Sequence, residues 1–156
     1  MLYFEALTVG YRYGLPAPKQ APFGPHEVTR EQIIDFGRRW DPRPQHVDEA
    51  AAEKTLFGGL IASGAHAFAL WTRLALETAN RTEPIAIVAG LGSDFQIAAP
   101  IRPGDVLSLR VEIVEIRASQ NRPESGIVTA EHALYNQSDT LVLTNRAVTL
   151  VNKRPV

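Results

Sequence analysis

The fold is decided by "SGAHAFALWTRLALETAN", residues 63–80. Few positions in this stretch are polar, and its apolar members include Ala65, Phe68, Ala69, Trp71, Leu74, Ala75, Leu76 and Ala79. A helix that is apolar on nearly every side is buried on nearly every side. We therefore predict a helix from about Gly64 to Ala79 that requires a partner surface around it.

The second half of the chain is expected to supply that surface. Five segments there are typical of β-strands: "PIAIVAG" (84–90), "SDFQIAA" (93–99), "DVLSLRVEIVEIRAS" (105–119), "GIVTAEHALYNQ" (126–137) and "TLVLTNRAVTLV" (140–151). The short breaks between them favour antiparallel neighbours. Helices followed by a run of strands indicate the α+β class. A long central helix wrapped by a curved antiparallel sheet is the hotdog fold.

Two shorter helices are predicted ahead of the central one. In "VTREQIIDFGRRW" (28–40), Thr29 and Gln32 have capping-box spacing, and Pro42 ends the helix. "DEAAAEKT" (48–55) is a second candidate, with Asp48 as its N-cap. Residues 10–25, rich in Pro and Gly, are expected to be an extended lead-in with turns.

Length and composition limit the class of protein. The chain has 156 residues, 45% apolar and 21% charged, which predicts one globular domain over residues 1–156. A formal charge of −1 argues against nucleic acid as the main partner. Because there is no cysteine, disulfides and Cys-based zinc sites are excluded. No stretch is typical of a signal peptide or a membrane span, so we expect a soluble, cytoplasmic protein.

The stretch "WDPRPQHVDE" (40–49) places a carboxylate and an imidazole five residues apart. Asp41 follows a predicted helix C-terminus, where the helix dipole is expected to raise its pKa. His46 precedes the helix that Asp48 caps, and the dipole there favours a neutral imidazole. Five residues span at most about 17 Å, so contact is allowed but not required. An acid–base pair and ordinary turn chemistry both fit.

The start of the central helix is a second candidate site. The free N–H groups near Gly64 suit an anion or an enolate oxygen. Alternatively, Ser63 is simply an N-cap and Gly64 permits close packing. His66 lies in the first turn and faces either a pocket or the core, and His132 is expected to be a buried, hydrogen-bonded side chain. No histidine pair has metal-ligand spacing, so no metal site is predicted.

The segments 36–64, "FGRRWDPRPQHVDEAAAEKTLFGGLIASG", and 99–113, "APIRPGDVLSLRVEI", resemble the MaoC-like acyl dehydratases. This family includes the (R)-specific enoyl-CoA hydratases. Its motif is an aromatic residue, then Gly-Asp-x-Asn-Pro-x-His, then a His-Gly that opens the hotdog helix. The matching residues are Phe36, Asp41, Pro44, His46 and Gly64. The resemblance extends from about Tyr3 to Val151.

The resemblance implies a hydro-lyase of fatty acid metabolism that adds water in syn geometry to a trans-2-enoyl thioester, or removes it. Asp41 and His46 would share the acid and base tasks on one water, and the Gly64 N–H would stabilise the thioester oxygen. Neither a metal nor a redox cofactor is implied. Coenzyme A or acyl carrier protein would carry the acyl group. Since hotdog domains generally pair edge to edge, a homodimer or larger homo-oligomer is expected.

Three positions depart from the family motif: Trp40 replaces its glycine, Arg43 its asparagine, and Ser63 its histidine. Arg43 has no acceptor, so the loop has to be held differently. Together with His66, these residues are the candidate substrate-binding positions. The departures keep two alternatives open. One is a hotdog acyl-CoA thioesterase that uses the same helix N-terminus; the other is a non-catalytic acyl-binding hotdog domain.

Overall fold

The computed structural model describes residues 1–14, 26–81 and 84–155, so most of the predicted lead-in, residues 15–25, lies outside the described residues. After a short 3-10 turn at Phe4–Ala6, the elements come in this order: β1 Arg12–Gly14, β2 His26–Glu27, α1 Arg30–Trp40, α2 Pro44–Val47, α3 Glu49–Ala52, α4 Gly64–Arg81, β3 Ile87–Ile97, β4 Val106–Ala118, β5 Ser125–Tyr135 and β6 Leu141–Asn152. No helix among these described residues has the length and apolarity that crossing a membrane requires.

The strands form one antiparallel sheet, which confirms the α+β hotdog prediction. The order is β1-β4-β5-β6-β3, and β2 pairs with β4 beside this path. The prediction of separate strands at 84–90 and 93–99 is wrong, because β3 runs through both. Register shifts near Ala89 and between Gly90 and Gly92 keep the pairing with β6. Such bulges absorb an extra residue without ending the strand.

Helix α4 packs against the inner face of the sheet and forms the centre of the core. Leu70, Leu74 and Trp71 are buried there against strand residues such as Leu109 and Leu134. A narrow stripe of α4 stays exposed in the single chain, and Leu76, 54% exposed, belongs to it. The prediction of burial on nearly every side is therefore correct except along this stripe.

The N-caps place the shorter helices as predicted. The Thr29 hydroxyl accepts a hydrogen bond from the Gln32 N–H, and the Gln32 side chain accepts one from the Thr29 N–H, which completes the capping box. The Asp48 carboxylate accepts the Ala51 N–H at the start of α3. Between α1 and α3, the stretch that the sequence suggested as a loop is a helical turn. Pro44 begins this turn, α2, at the first helical position, where proline is favoured. His46 therefore lies inside a helix.

Candidate active site

His46 and Asp41 come together at the end of α1. The side chain of His46 is buried, and its Nδ1 lies 2.8 Å from the Ile61 carbonyl oxygen. A carbonyl oxygen only accepts, so Nδ1 carries a proton, and in the neutral tautomer the lone pair is then on Nε2. Nε2 is 3.6 Å from Asp41 Oδ2 and has no hydrogen-bond partner in the described part of the chain. The geometry leaves one basic nitrogen beside a carboxylate.

Arg43 controls the charge of Asp41. Its Nε and Nη2 donate to Asp41 Oδ1 and Oδ2 at 2.7 and 2.6 Å. The prediction of a raised Asp41 pKa is wrong: the hydrogen bonds from Arg43 hold the pKa of this carboxyl below its ordinary value, although burial acts in the opposite direction. Arg43 also holds the turn in place of an asparagine. Asp41 is therefore ionised at neutral pH.

Gly37 sets the distance between α1 and α2, and sequence reasoning missed it. A Cβ atom at this position would lie 2.7 Å from the His46 carbonyl oxygen and 3.0 Å from Val47 Cγ1. The backbone of His46 therefore approaches α1 as closely as only glycine permits. The one signal in the sequence was a glycine on the buried face of an amphipathic helix.

The N-terminus of α4 is capped by Ser63, the alternative that the sequence left open. The Ser63 hydroxyl accepts the His66 N–H at 3.1 Å, and its carbonyl accepts the Ala67 N–H at 2.9 Å. The N–H groups of Gly64 and Ala65 precede the first intrahelical bond, and no described residue accepts from them, so they can donate to a ligand. Ile61, which orients His46, is three residues before Gly64. The segment 61–64 therefore both accepts the hydrogen bond that orients His46 and leads directly into the positive end of α4.

His66 packs into the core beside the site. Its ring stacks on Phe36 with the ring centroids 4.5 Å apart. Burial, with smaller contributions from His26 and His46, lowers the pKa of His66 to about 4, so the ring is neutral at pH 7. Its Nδ1 has no hydrogen-bond partner among the described residues. Trp40, by contrast, is 68% exposed in the single chain, and its contact with a substrate remains a prediction.

A cavity of about 510 Å³ lies between α4 and the sheet, one helical turn beyond Gly64. Its walls are mostly apolar, and Phe68, Thr72 and Ala75 contribute the helix side. His132 of β5 lines the opposite side and packs edge-on against Trp71. The prediction that His132 is buried is confirmed, but the prediction of hydrogen bonding is wrong, because Nδ1 has no partner within the described chain. Nothing in the sequence indicated this cavity.

Metal ligation finds no support in the described ranges, where no three His, Asp or Glu side chains are grouped to hold an ion. The chemistry that the site offers is proton transfer. Asp41 and His46 provide two adjacent acceptors, and the N-terminus of α4 provides backbone donors.

Comparisons with known proteins point to one family. The family model of the MaoC like domain matches residues 16–136. The crystal structure of a MaoC-like dehydratase from Rhodospirillum rubrum has a TM-score of 0.87 and 35% identity, with all of both chains covered. YdeM, an uncharacterised protein of Bacillus subtilis, is 30% identical over 81% of this chain and 88% of its own. The 3-hydroxybutyryl-CoA dehydratase of Methylorubrum extorquens is 28% identical over 78% of this chain and 70% of its own.

Proposed function

The chain belongs to the MaoC-like domain family, and from this premise we propose that it is a hydratase or dehydratase of acyl thioesters. It would add water to a trans-2-enoyl thioester, or remove water from the corresponding 3-hydroxyacyl thioester. The observation that carries the proposal is the pairing of Asp41 Oδ2 with His46 Nε2 at 3.6 Å. Two adjacent acceptors of this kind hold one water through both of its O–H groups.

The protonation states define the proton's route. Arg43 lowers the pKa of Asp41, so the carboxylate is ionised at neutral pH, and the hydrogen bond from His46 Nδ1 to Ile61 leaves Nε2 as the nitrogen that would exchange a proton with the water. Both groups are bases at rest, so the proton delivered to C2 is the one removed from water. His46 Nε2 takes that proton as the water oxygen bonds to C3. The imidazolium, stabilised by the Asp41 carboxylate, then returns it to C2. Because the water oxygen reaches C3 and the proton reaches C2 from the same face of the double bond, the addition is syn.

The N-terminus of α4 would stabilise the charge that develops on the thioester. As the C–O bond forms at C3, the electrons of the double bond move to the thioester oxygen. The Gly64 N–H, at the positive end of an 18-residue helix, donates to this oxygen. The acyl group then runs along α4 into the cavity that begins near Phe68.

The carrier and assembly complete the proposal. Coenzyme A or acyl carrier protein would remain outside the cavity, because the thioester carbonyl would lie at the start of α4, where Gly64 is half-buried and Ala65 is exposed. Hydration needs no metal or redox cofactor, since all its steps are proton transfers and a carbon–oxygen bond. We also propose that the functional unit is a homodimer in which two copies pair at the exposed edge of the sheet.

An activity screen tests the function. Purified protein is mixed with trans-2-enoyl-CoA thioesters of several chain lengths, while enoyl absorbance and free thiol are followed together. We expect loss of absorbance without thiol release. Asp41→Asn and His46→Gln should each lower kcat about 100-fold or more, since general acid–base groups contribute about 10²–10⁴-fold. Asp139→Asn, a surface carboxylate paired with Arg110, is the matched control.

The outcomes separate the candidate functions. Thiol release would instead identify a thioesterase. Full activity in Asp41→Asn, with an unchanged circular dichroism spectrum, would contradict the assigned role. Absence of turnover with every chain length and with both carriers would contradict the proposed function and favour an acyl-binding domain.

A further inference from the structure

His132 is the histidine of a mostly apolar cavity wall, whose other polar side chains in the described residues include the hydroxyls of Tyr13, Thr72, Ser93 and Thr149. It lies on the inner face of β5, is 8% exposed, and lines the cavity beside α4. Its Nδ1 has no hydrogen-bond partner among the described residues. Because an unpaired buried polar atom destabilises a fold, an apolar residue would suit this wall better if the wall only had to pack. The histidine therefore indicates a ligand that uses it.

Asn145 is positioned to orient this histidine. It lies directly opposite His132 in the register of β5 and β6 and is 1% exposed. Residues opposite each other on neighbouring strands have Cβ atoms about 4.5–5.5 Å apart on the same face. The Asn145 Oδ1 accepts the Ser93 hydroxyl at 2.8 Å, which leaves its Nδ2 as an unpaired donor. The unpaired donor Asn145 Nδ2 and the unpaired nitrogen His132 Nδ1 are thus on directly opposed residues of neighbouring strands.

We propose that His132 recognises an uncharged hydrogen-bond acceptor on the distal part of the acyl chain, with Asn145 as its positioning residue. This hydrogen bond is not formed in the structure, where both atoms are unpaired; on ligand binding, Asn145 Nδ2 would donate to His132 Nδ1 and so leave the proton on Nε2. Nε2 then donates into the cavity, to a keto, hydroxyl or ether oxygen of the substrate. This inference rests on the proposed function, because it assigns the cavity to the acyl group.

The surroundings of His132 favour a neutral group over a carboxylate. Burial lowers the pKa of His132 to about 4, so the ring carries no charge at neutral pH. Lysine and arginine are absent from the described residues that line the cavity. A carboxylate placed there would lose its hydration without gaining an opposite charge. The substrate class is therefore an oxygenated enoyl or 3-hydroxyacyl thioester whose chain is uncharged.

The length of α4 indicates where along the acyl chain the recognised oxygen would lie. Trp71, which packs against His132, is seven residues beyond Gly64. At 1.5 Å per residue, the polar group lies about 10 Å from the thioester carbonyl along α4. An oxygen close to the reacting double bond would not reach His132, whereas one near the end of a medium-length chain would.

Two matched substrates test the inference: trans-2-decenoyl-CoA and 9-oxo-trans-2-decenoyl-CoA. The quantity measured is the ratio of kcat/KM for the oxo substrate to that for the alkyl substrate. We expect a ratio above one in the wild type and a fall of about tenfold in His132→Phe, as expected for the loss of one buried hydrogen bond. Asn145→Leu should lower the ratio in the same direction. Val148→Ala, which shortens an apolar side chain of the wall and so enlarges the cavity, should change kcat/KM for both substrates by the same factor.

Binding of the unreactive analogues 9-oxodecanoyl-CoA and decanoyl-CoA, measured by calorimetry, separates this inference from the proposed function. Hydration of both substrates with a ratio that is equal in wild type, His132→Phe and Asn145→Leu would overturn the inference alone. Absence of turnover, with the oxo analogue still bound more tightly in a His132-dependent way, would support the inference and contradict the hydratase. Equal binding of both analogues by all variants would overturn it. If His132→Phe does not fold, Asn145→Leu provides the same comparison.

Discussion

Arg43 and Asp41 form the most consequential side-chain pair of the site. The Arg43 guanidinium donates to both carboxylate oxygens of Asp41, which is only two residues away in the chain. The Arg43 side chain is 63% exposed. Little burial is needed for this effect, because the two charge-assisted hydrogen bonds stabilise the ionised carboxylate directly. The residue that replaces the family asparagine therefore sets the charge of the neighbouring base.

Replacing Arg43 should change how Asp41 titrates. Since Arg43 lowers the pKa of Asp41, Arg43→Asn should raise the titration midpoint of this carboxyl. The midpoint is read from its side-chain carbon resonance in an NMR titration. In the wild type the ionised pair stabilises the fold above the ordinary pKa of an aspartate, and that contribution is lost as pH falls through the lowered pKa. Arg117→Asn is the surface control, and identical midpoints in all three proteins would refute this explanation.

Gly37 should be intolerant of even one methyl group. In Gly37→Ala, the new Cβ would lie 2.7 Å from the His46 carbonyl oxygen, so α1 and α2 have to separate. Overpacking of this kind typically costs about 1–3 kcal/mol of the free energy of unfolding. We also expect kcat to fall, because His46 moves with α2. Urea denaturation and the hydration assay measure both effects.

Arg38→Ala, on the exposed face of the same helix, is the matched control for Gly37→Ala. It should change the free energy of unfolding by less than about 0.5 kcal/mol. Unchanged stability and activity in Gly37→Ala would show that α1 and α2 are not held together in this way.

Among the elements, those governed by local chemistry were predicted well. The caps at Thr29, Asp48 and Ser63 each use a side chain and the N–H three residues later. Strand β3 was predicted as two strands, 84–90 and 93–99, whereas pairing with the long strand β6 carries one strand through Gly90 and Gly92 as a bulged continuation. Tertiary pairing thus overrides the local signal where a strand has a long neighbour.

The helix that decides the fold depends on its cap. Ser63 is 2% exposed, and its hydroxyl is the acceptor for the His66 N–H. Ser63→Ala should therefore lower the free energy of unfolding by about 0.5–2 kcal/mol, as measured by urea denaturation. Ser138→Ala, at an exposed turn, should have little effect. Equal stability of Ser63→Ala and the wild type would show that α4 begins without this cap.

Contacts between distant elements explain what the sequence did not reveal about the site. The Phe36–His66 stack joins α1 to α4, and the cavity joins α4 to β5. Five-residue spacing allowed Asp41 and His46 to meet, but their separation is set by the hydrogen bond from His46 to Ile61. Such geometry depends on how the elements pack, and periodicity within one element carries no information about it.

At the scale of the whole molecule, β3 is the exposed edge of the sheet. In the described residues its only sheet neighbour is β6, yet the strand has eleven residues. Val88 and Leu91 are each 52% exposed along it. Long apolar edge strands pair with other chains unless they are protected. A second copy of this chain is the partner we expect, because two such edges joined antiparallel would continue the sheet and cover the exposed residues of α4.

The edge therefore predicts a homodimer that charged substitutions on β3 weaken. Light scattering coupled to gel filtration should give twice the chain mass for the wild type at micromolar concentration. Val88→Lys combined with Leu91→Lys should shift the mass towards one chain, because paired edges would place like charges close together. Val9→Lys, at a 60% exposed valine outside the sheet, should remain dimeric. A wild-type monomer would contradict edge pairing, and a dimer that tolerates both lysines would place the interface on another face.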